Sequence, residues 1–261
     1  MIFDTHAHYD DDAFEEDRDS LLLGMKEDGV EYIVNVGASM ASSKRSIALA
    51  EQYPFVYAAV GVHPDEVGEL NEEKFLQLKE WSAHPKVKAI GEIGLDYYWD
   101  KEGHDLQKFW FRRQMELAKE QQLPIIVHSR EAAKDTLDMI QEAKDLELSG
   151  IIHCYSYGVE HAREYLNMGY YLGIGGVLTF KNARKLKEVA AYAPLSQIVL
   201  ETDCPYLAPV PFRGKRNDSS KILYMAQELS QLKNVPVEEV IRITAENGRK
   251  LYQIEENANE R

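Results

Sequence analysis

Cysteine is nearly absent: Cys154 and Cys204 are the only two in 261 residues, too few for a disulfide framework. Both are expected to be buried structural thiols in a cytoplasmic protein. No apolar run reaches 18 residues, so no membrane-spanning helix is expected. The start of the chain has no basic segment followed by an apolar one, and no secretory leader is expected. Positive charge is also scarce. Thirty Lys and Arg stand against 44 Asp and Glu, a net charge of −14. That excludes a protein that coats nucleic acid through a broad basic surface. It leaves open an enzyme that holds phosphate with metal cations and a local basic loop. Acidic runs such as residues 15–19 and 238–239 read as solvated helix faces. No Pro/Gly/Ser linker divides the chain, so residues 1–261 are expected to form one domain.

What is present is a rhythm. Short apolar, β-branched runs recur at residues 2–6, 32–36, 56–60, 87–93, 125–128, 151–153, 170–174 and 198–201. Helix-like stretches separate them, at 18–28, 42–52, 72–82, 106–121, 132–142, 159–168 and 183–191. Two more follow, at 220–232 and after Pro236, where proline suits a first helical turn. Nearly continuous apolar strands are those of a parallel sheet buried on both faces. Eight strand–helix units in this length predict a (β/α)8 TIM barrel. The competitor, an open doubly wound sheet, would usually carry a glycine-rich turn after strand one. Here that strand ends in His6-Ala7-His8.

Active sites of such barrels lie at the C-terminal ends of the strands. Those ends carry His6 and His8, then His63, Glu92, His128, His153, and finally Glu201 and Asp203. The remaining histidines, His84, His104 and His161, read as surface residues. Buried charge is costly unless paired or bound to metal. Four histidines (His6, His8, His128, His153) and the carboxylates Glu92 and Asp203 on one rim predict a two-metal site. Glu92, with two oxygens, can bridge ions about 3.5–4 Å apart. The donor set suits Zn, Mg, Mn, Ni or Co. Asp203 is the candidate base, and Glu201, two residues before it, could orient the water or serve as the base instead.

Seven segments together resemble the TatD family of metal-dependent hydrolases, within the amidohydrolase-like metal barrels. They run from Asp4-Thr5-His6-Ala7-His8 through Gly61-Val62-His63-Pro64, Gly91-Glu92-Ile93-Gly94-Leu95-Asp96-Tyr97 and His128-Ser129-Arg130. They end with His153-Cys154-Tyr155-Ser156, Glu201-Thr202-Asp203-Cys204-Pro205 and Arg213-Gly214-Lys215-Arg216-Asn217. The resemblance covers essentially the whole chain. It implies a TIM barrel, two divalent metal ions and deoxyribonuclease activity, typically 3′-to-5′ on single strands. It also implies that His6, His8, Glu92 and Asp203 hold one metal and that Glu92, His128 and His153 hold the other. One departure is visible. The family often continues its basic loop as Asn-Glu-Pro, whereas Asn217 is followed here by Asp218-Ser219, which is expected to loosen that loop.

The residues also speak to substrate. Barrel loops after strands seven and eight frequently bind phosphate, and Arg213, Lys215 and Arg216 lie in such a loop. Arg130 follows His128 by two and should share its face. With His63 these make five candidate substrate contacts. Tyr97, Tyr98 and Trp99 could stack on nucleobases or cap the barrel. The leading expectation is a deoxyribonuclease acting on single-stranded or frayed DNA ends. The alternative is an amide or ester hydrolase acting on a small molecule or an acylated nucleotide, since the same site polarises carbonyls. A non-catalytic metal-binding scaffold is a third reading, and the complete ligand set argues against it.

Overall fold

Strands and helices alternate along the whole computed structural model, which describes residues 1–255. The strands are β1 (Ile2–Ala7), β2 (Val30–Val36), β3 (Val56–Val60), β4 (Val87–Asp96), β5 (Ile125–Arg130), β6 (Gly150–Ile152), β7 (Tyr171–Ile174) and β8 (Ile198–Leu200). They form one sheet in sequence order, and each pairs in parallel with its neighbour. The segment after β8 meets the end of β1. Ala7 bridges Cys204, and His8 N donates to Cys204 O at 2.9 Å. The sheet thereby becomes a nearly closed barrel.

Helices α1 (Arg18–Gly24), α2 (Met40–Gln52), α3 (Glu72–Ser82), α4 (His104–Gln121), α5 (Ala133–Glu142), α6 (Val159–Asn167) and α7 (Arg184–Tyr192) follow β1 to β7 in turn. After β8 come α8 (Ile222–Lys233) and α9 (Val237–Leu251). Local chemistry sets their starts. Ser39 accepts from Ser42 N ahead of α2, and Asn71 from Lys74 N ahead of α3, each satisfying an amide that the first turn leaves free. Helix α1 is shorter than expected. Val30 N donates to Met25 O, and Gly29, at φ +79°, turns the chain into β2. Strands β4 and β5 run further than expected, to Asp96 and Arg130. Strands β6 and β8 stop short, leaving His153 and Glu201 in the turns beyond.

The core has two layers. Three residues of β2 (Tyr32, Val34, Val36) and one from each other strand, from Phe3 on β1 to Val199 on β8, fill the barrel interior together with Leu251 and Tyr252. The opposite strand faces pack against the helices. In two strands the alternation breaks. Ala89 faces inward and Ile90 outward, so strict period-two spacing would send Glu92 outward. The β4–β5 register shifts between Ile90 and Ile93, after which Ile93 and Leu95 face the helices. Glu92, Gly94 and Asp96 are thereby turned to the barrel axis. A second shift, between Asp4 and Ala7 against β2, does the same for His6 and His8. Such bulges re-aim side chains at the cost of one unpaired residue.

The turn that begins with Asp218 is tied down, not loosened. Asp218 accepts from Ser220 N, and Ser219 Oγ donates to Asp4 Oδ2 at 2.6 Å. Ser219 N donates to Tyr9 Oη at 2.9 Å. Asp4 also takes Thr202 N and Thr202 Oγ1. One buried carboxylate on β1 therefore fastens both the turn after β8 and the approach to α8.

Candidate metal centre

Glu92 stands at the middle of the C-terminal mouth, its side chain almost wholly buried. Its two oxygens face different partners. Oε2 lies 3.4 Å from His6 Nε2 and 3.7 Å from His8 Nε2. Oε1 lies 2.9 Å from His128 Nδ1, 3.3 Å from His153 Nε2 and 3.7 Å from His63 Nε2. Asp203 faces the first pair, with Oδ1 3.3 Å from His8 Nε2 and 3.7 Å from His6 Nε2.

The histidines are fixed from behind. His8 Nδ1 donates to Val36 O at 2.8 Å, which turns its Nε2 inward. His128 Nε2 donates to Asp96 Oδ2 at 2.9 Å, which turns its Nδ1 to Glu92. His153 Nδ1 lies 3.3 Å from Glu201 Oε1, so its Nε2 also faces Glu92. His6 stacks on His153 with ring centres 3.7 Å apart, and its Nδ1 has no hydrogen-bond partner among the described residues. An acceptor on the outer nitrogen fixes the tautomer and ring angle of a metal-binding histidine. The Nε2 atoms of His6 and His8 approach to 3.0 Å, so both nitrogens can reach one shared cation once the His8 proton is displaced. The donor set therefore fits divalent ions. His6, His8 and Asp203 form one group with ligand atoms within 4.8 Å of one another, and His63, Glu92 and His128 form another. His153 falls in a third such group with His6 and Glu201. The second group thus contains His63, expected only as a substrate contact, while His153 reaches Glu92 from the other side.

Charge follows burial and neighbours. Burial opposes charge on Glu92, but His153 and His128 outweigh it and hold the carboxyl well below its usual range. Asp203 is likewise buried yet lowered, by His8, His153 and His6. Burial also opposes charge on His8, and Asp203 overcomes it, lifting the imidazole to about 9. His128 is raised for the same reason, by Asp96 and Glu92. His63 goes the other way, to about 3, through burial and the neighbouring His128. Its Nδ1 accepts from Asp65 N at 3.2 Å, so the neutral ring carries its proton on Nε2, facing the centre.

Above these residues opens a cavity of about 640 Å³. His63 and Arg130 line it, with His8, Glu92, His128, His153 and Asp203. Glu201 does not. It is fully buried, its Oε1 accepts from Cys154 N at 2.5 Å, and Gly173 supplies the space its carboxyl fills. This corrects its placement among the catalytic groups: it sits behind His153, out of reach of substrate. The basic loop also lies off the cavity lining. Arg213 packs over Phe180, and Arg216 forms a two-pronged pair with Asp17. Lys215 is exposed on the same loop. Cys204 is buried, but Cys154 is only half-buried, in a turn at φ 45° where strand alternation no longer applies. His104 is not a plain surface residue, since it stacks on Tyr97 at 3.6 Å.

Five carboxylates of the cavity lining escaped the sequence reading: Asp10, Asp11, Asp65, Glu66 and Asp96. Asp96 could have been found, because it lies four residues after Glu92 on one strand and so shares its face. Asp65 follows His63 by two in a short helical turn. Asp10 is buried and takes Asn35 Nδ2 at 2.9 Å and Ser42 Oγ at 2.7 Å, and it had no sequence signal.

Known proteins resemble this chain along its length. The family model for TatD-related DNases matches residues 3–253. A Bacillus subtilis protein named as the uncharacterized metal-dependent hydrolase YabD is 45% identical over 254 residues, covering 97% of this chain and 100% of that one. The crystal structure of YjjV, a TatD homologue from Escherichia coli, superposes with a TM-score of 0.91 at 29% identity, covering 97% and 98% of the two chains. A TatD-family hydrolase from Entamoeba histolytica gives a TM-score of 0.85 at 25% identity, covering 96% and 97%.

Proposed function

This chain belongs to the TatD-related DNase family and is a metal-dependent hydrolase, and from that premise we propose that it trims DNA as a two-metal phosphodiesterase, removing nucleotides 3′-to-5′ from single-stranded or frayed ends. The carrying observation is that Glu92 splits its two oxygens between two sets of inward-facing histidine nitrogens. His6, His8, Glu92 and Asp203 would hold one ion, and Glu92, His128 and His153 would hold the other. When bound, such ions acidify water towards neutral pKa and offset phosphate charge.

The protein's own groups do the rest. Asp203, whose side chain is 18% exposed to the cavity, takes the proton of the attacking water. Neutral His63 donates from Nε2 to a phosphoryl oxygen. Arg130 stacks on Tyr98 at 4.1 Å and offers its fork of donors to the scissile phosphate. Asp96 and Glu201 hold His128 and His153 in place. Arg213, Lys215 and Arg216 meet only strand that extends beyond the reacting nucleotide. The enzyme works in the cytoplasm as a single barrel domain; of the expected span 1–261, residues 256–261 lie outside the described residues.

The test is hydrolysis of 5′- and 3′-labelled single- and double-stranded oligonucleotides with Mg, Mn, Zn, Ni and Co, beside a panel of small esters and amides. The expected result is a ladder shortening from the 3′ end, lost in EDTA. Ester or amide turnover without DNA cleavage would replace this reading with the small-molecule hydrolase.

A further inference from the structure

Two large aromatic side chains are exposed on the lining of the metal cavity, Trp99 at 66% and Tyr206 at 54%. Exposed aromatic surface is expensive, and each residue is nevertheless held in place. Trp99 N donates to Asp96 Oδ1 at 3.0 Å, and the other oxygen of that carboxylate holds His128. Its ring stands edge-on to Tyr98 at 4.8 Å, with the Arg130 guanidinium 5.5 Å from the indole centre. Tyr206 N donates to Asp203 O at 2.9 Å, and its hydroxyl donates to Asp11 Oδ2 at 2.8 Å. One aromatic is thus fastened through Asp96 to His128, and the other directly to Asp203. Arg130 has no carboxylate partner among the described residues, although Asp10, Asp65, Glu66 and Asp96 line the same cavity.

We propose that Trp99 and Tyr206 form a clamp for one unpaired nucleobase, with Arg130 taking the phosphate attached to that nucleotide. The proposal rests on the nuclease reading and deepens it. A ring face serves any base, so the clamp reads strandedness and not sequence. A paired base is stacked within its duplex and cannot enter, which makes the end of a single strand the substrate. Because both aromatics hang on turns tied to the metal ligands, clamping the base sets the distance from phosphate to metals.

The experiment uses the full chain with the divalent ion that supports activity. Substrates are a single-stranded 12-mer, the same strand abasic at its 3′ or its 5′ terminal position, and a blunt duplex. Wild type should lose about tenfold in kcat/KM when the base at the attacked end is missing, in keeping with stacking on an aromatic side chain. Trp99→Ala and Tyr206→Ala should each lose about as much on the intact strand, through KM, and little more on the abasic one. Trp99→Phe should retain most of the wild-type preference. Thermal unfolding and metal content of the variants should match wild type, since both side chains are exposed. If the double variant Trp99→Ala/Tyr206→Ala still prefers the intact strand over the abasic one as strongly as wild type, the clamp is wrong and the nuclease stands. If wild type cleaves none of these strands with any ion, the nuclease reading falls and takes the clamp with it.

Discussion

Glu201 and Asp203 are two residues apart, yet they serve different sides of the site. Glu201 is sealed behind His153, while Asp203 reaches the cavity from a turn at φ 55°. Glu201→Gln should therefore weaken metal binding by roughly 10- to 100-fold, as loss of an outer partner of a metal-binding histidine does. Saturating metal should restore its turnover. Asp203→Asn should lose roughly 100- to 10,000-fold in turnover, and added metal should not restore it. Activity titrated against metal concentration separates the two. Glu201→Gln protein that is fully metallated yet inactive would make Glu201 the base after all.

The ligands' protonation gives a pH prediction. Without metal, Asp203 lifts His8 to about 9 despite its burial. A folded pKa above the unfolded value means that this pairing contributes stability below about 6.5 and loses it as pH rises towards 9. Metal binding must displace that proton, so it tightens over the same window. The thermal shift produced by metal should be larger at pH 8.5 than at pH 6.5, and proton release should be measurable by calorimetry in two buffers. A metal-induced shift independent of pH would contradict the assigned ligand.

At the scale of the element, β4 carries most of the design. Its bulge turns Glu92 and Asp96 inward, and Gly94 between them sits at φ +142° beside β5. A Cβ there would lie 2.0 Å from the carbonyl oxygen of His128. Gly94→Ala should cost roughly 1–3 kcal/mol from backbone strain alone, more from the clash, and should displace His128. Gly169→Ala is the control, with φ +85° but nothing within 4 Å of the added carbon. Urea unfolding and metal content should show both losses for Gly94→Ala and only a stability loss for Gly169→Ala. Equal metal content in the two variants would mean that β4 and β5 can shift apart without harm.

For the whole molecule, on the proposed nuclease reading, a net charge of −14 sets how it meets DNA. The acidic surface repels a long strand, and attraction is confined to the mouth. Binding should show a shallow salt dependence, equivalent to few phosphate contacts. Arg130→Ala should flatten it by about one contact, whereas Arg216→Ala should leave it unchanged, because Arg216 is already paired with Asp17. KM for a short single strand at three salt concentrations checks both. The reverse order of effects would return the phosphate role to the basic loop.

The barrel itself was legible because each strand buries both faces and so reads as an apolar run, repeated eight times with a helix between. The candidate metal centre was legible because His and carboxylate at strand ends are costly to bury without a cation, so His6, His8, Glu92, His128, His153 and Asp203 stand out one by one. Which way those side chains point was not. By alternation Glu92 belongs with outward-facing Ile90, and only the register shift against β5 brings it inside. The same holds for Glu201, whose position beyond the short β8 places it behind His153, and for Arg213 and Arg216, which are basic in sequence but occupied by Phe180 and Asp17 in the fold. Residue type and spacing record what a strand end must bury. Bulges, strand lengths and long-range partners decide what it faces, because each depends on a neighbouring strand or helix that the local sequence does not contain.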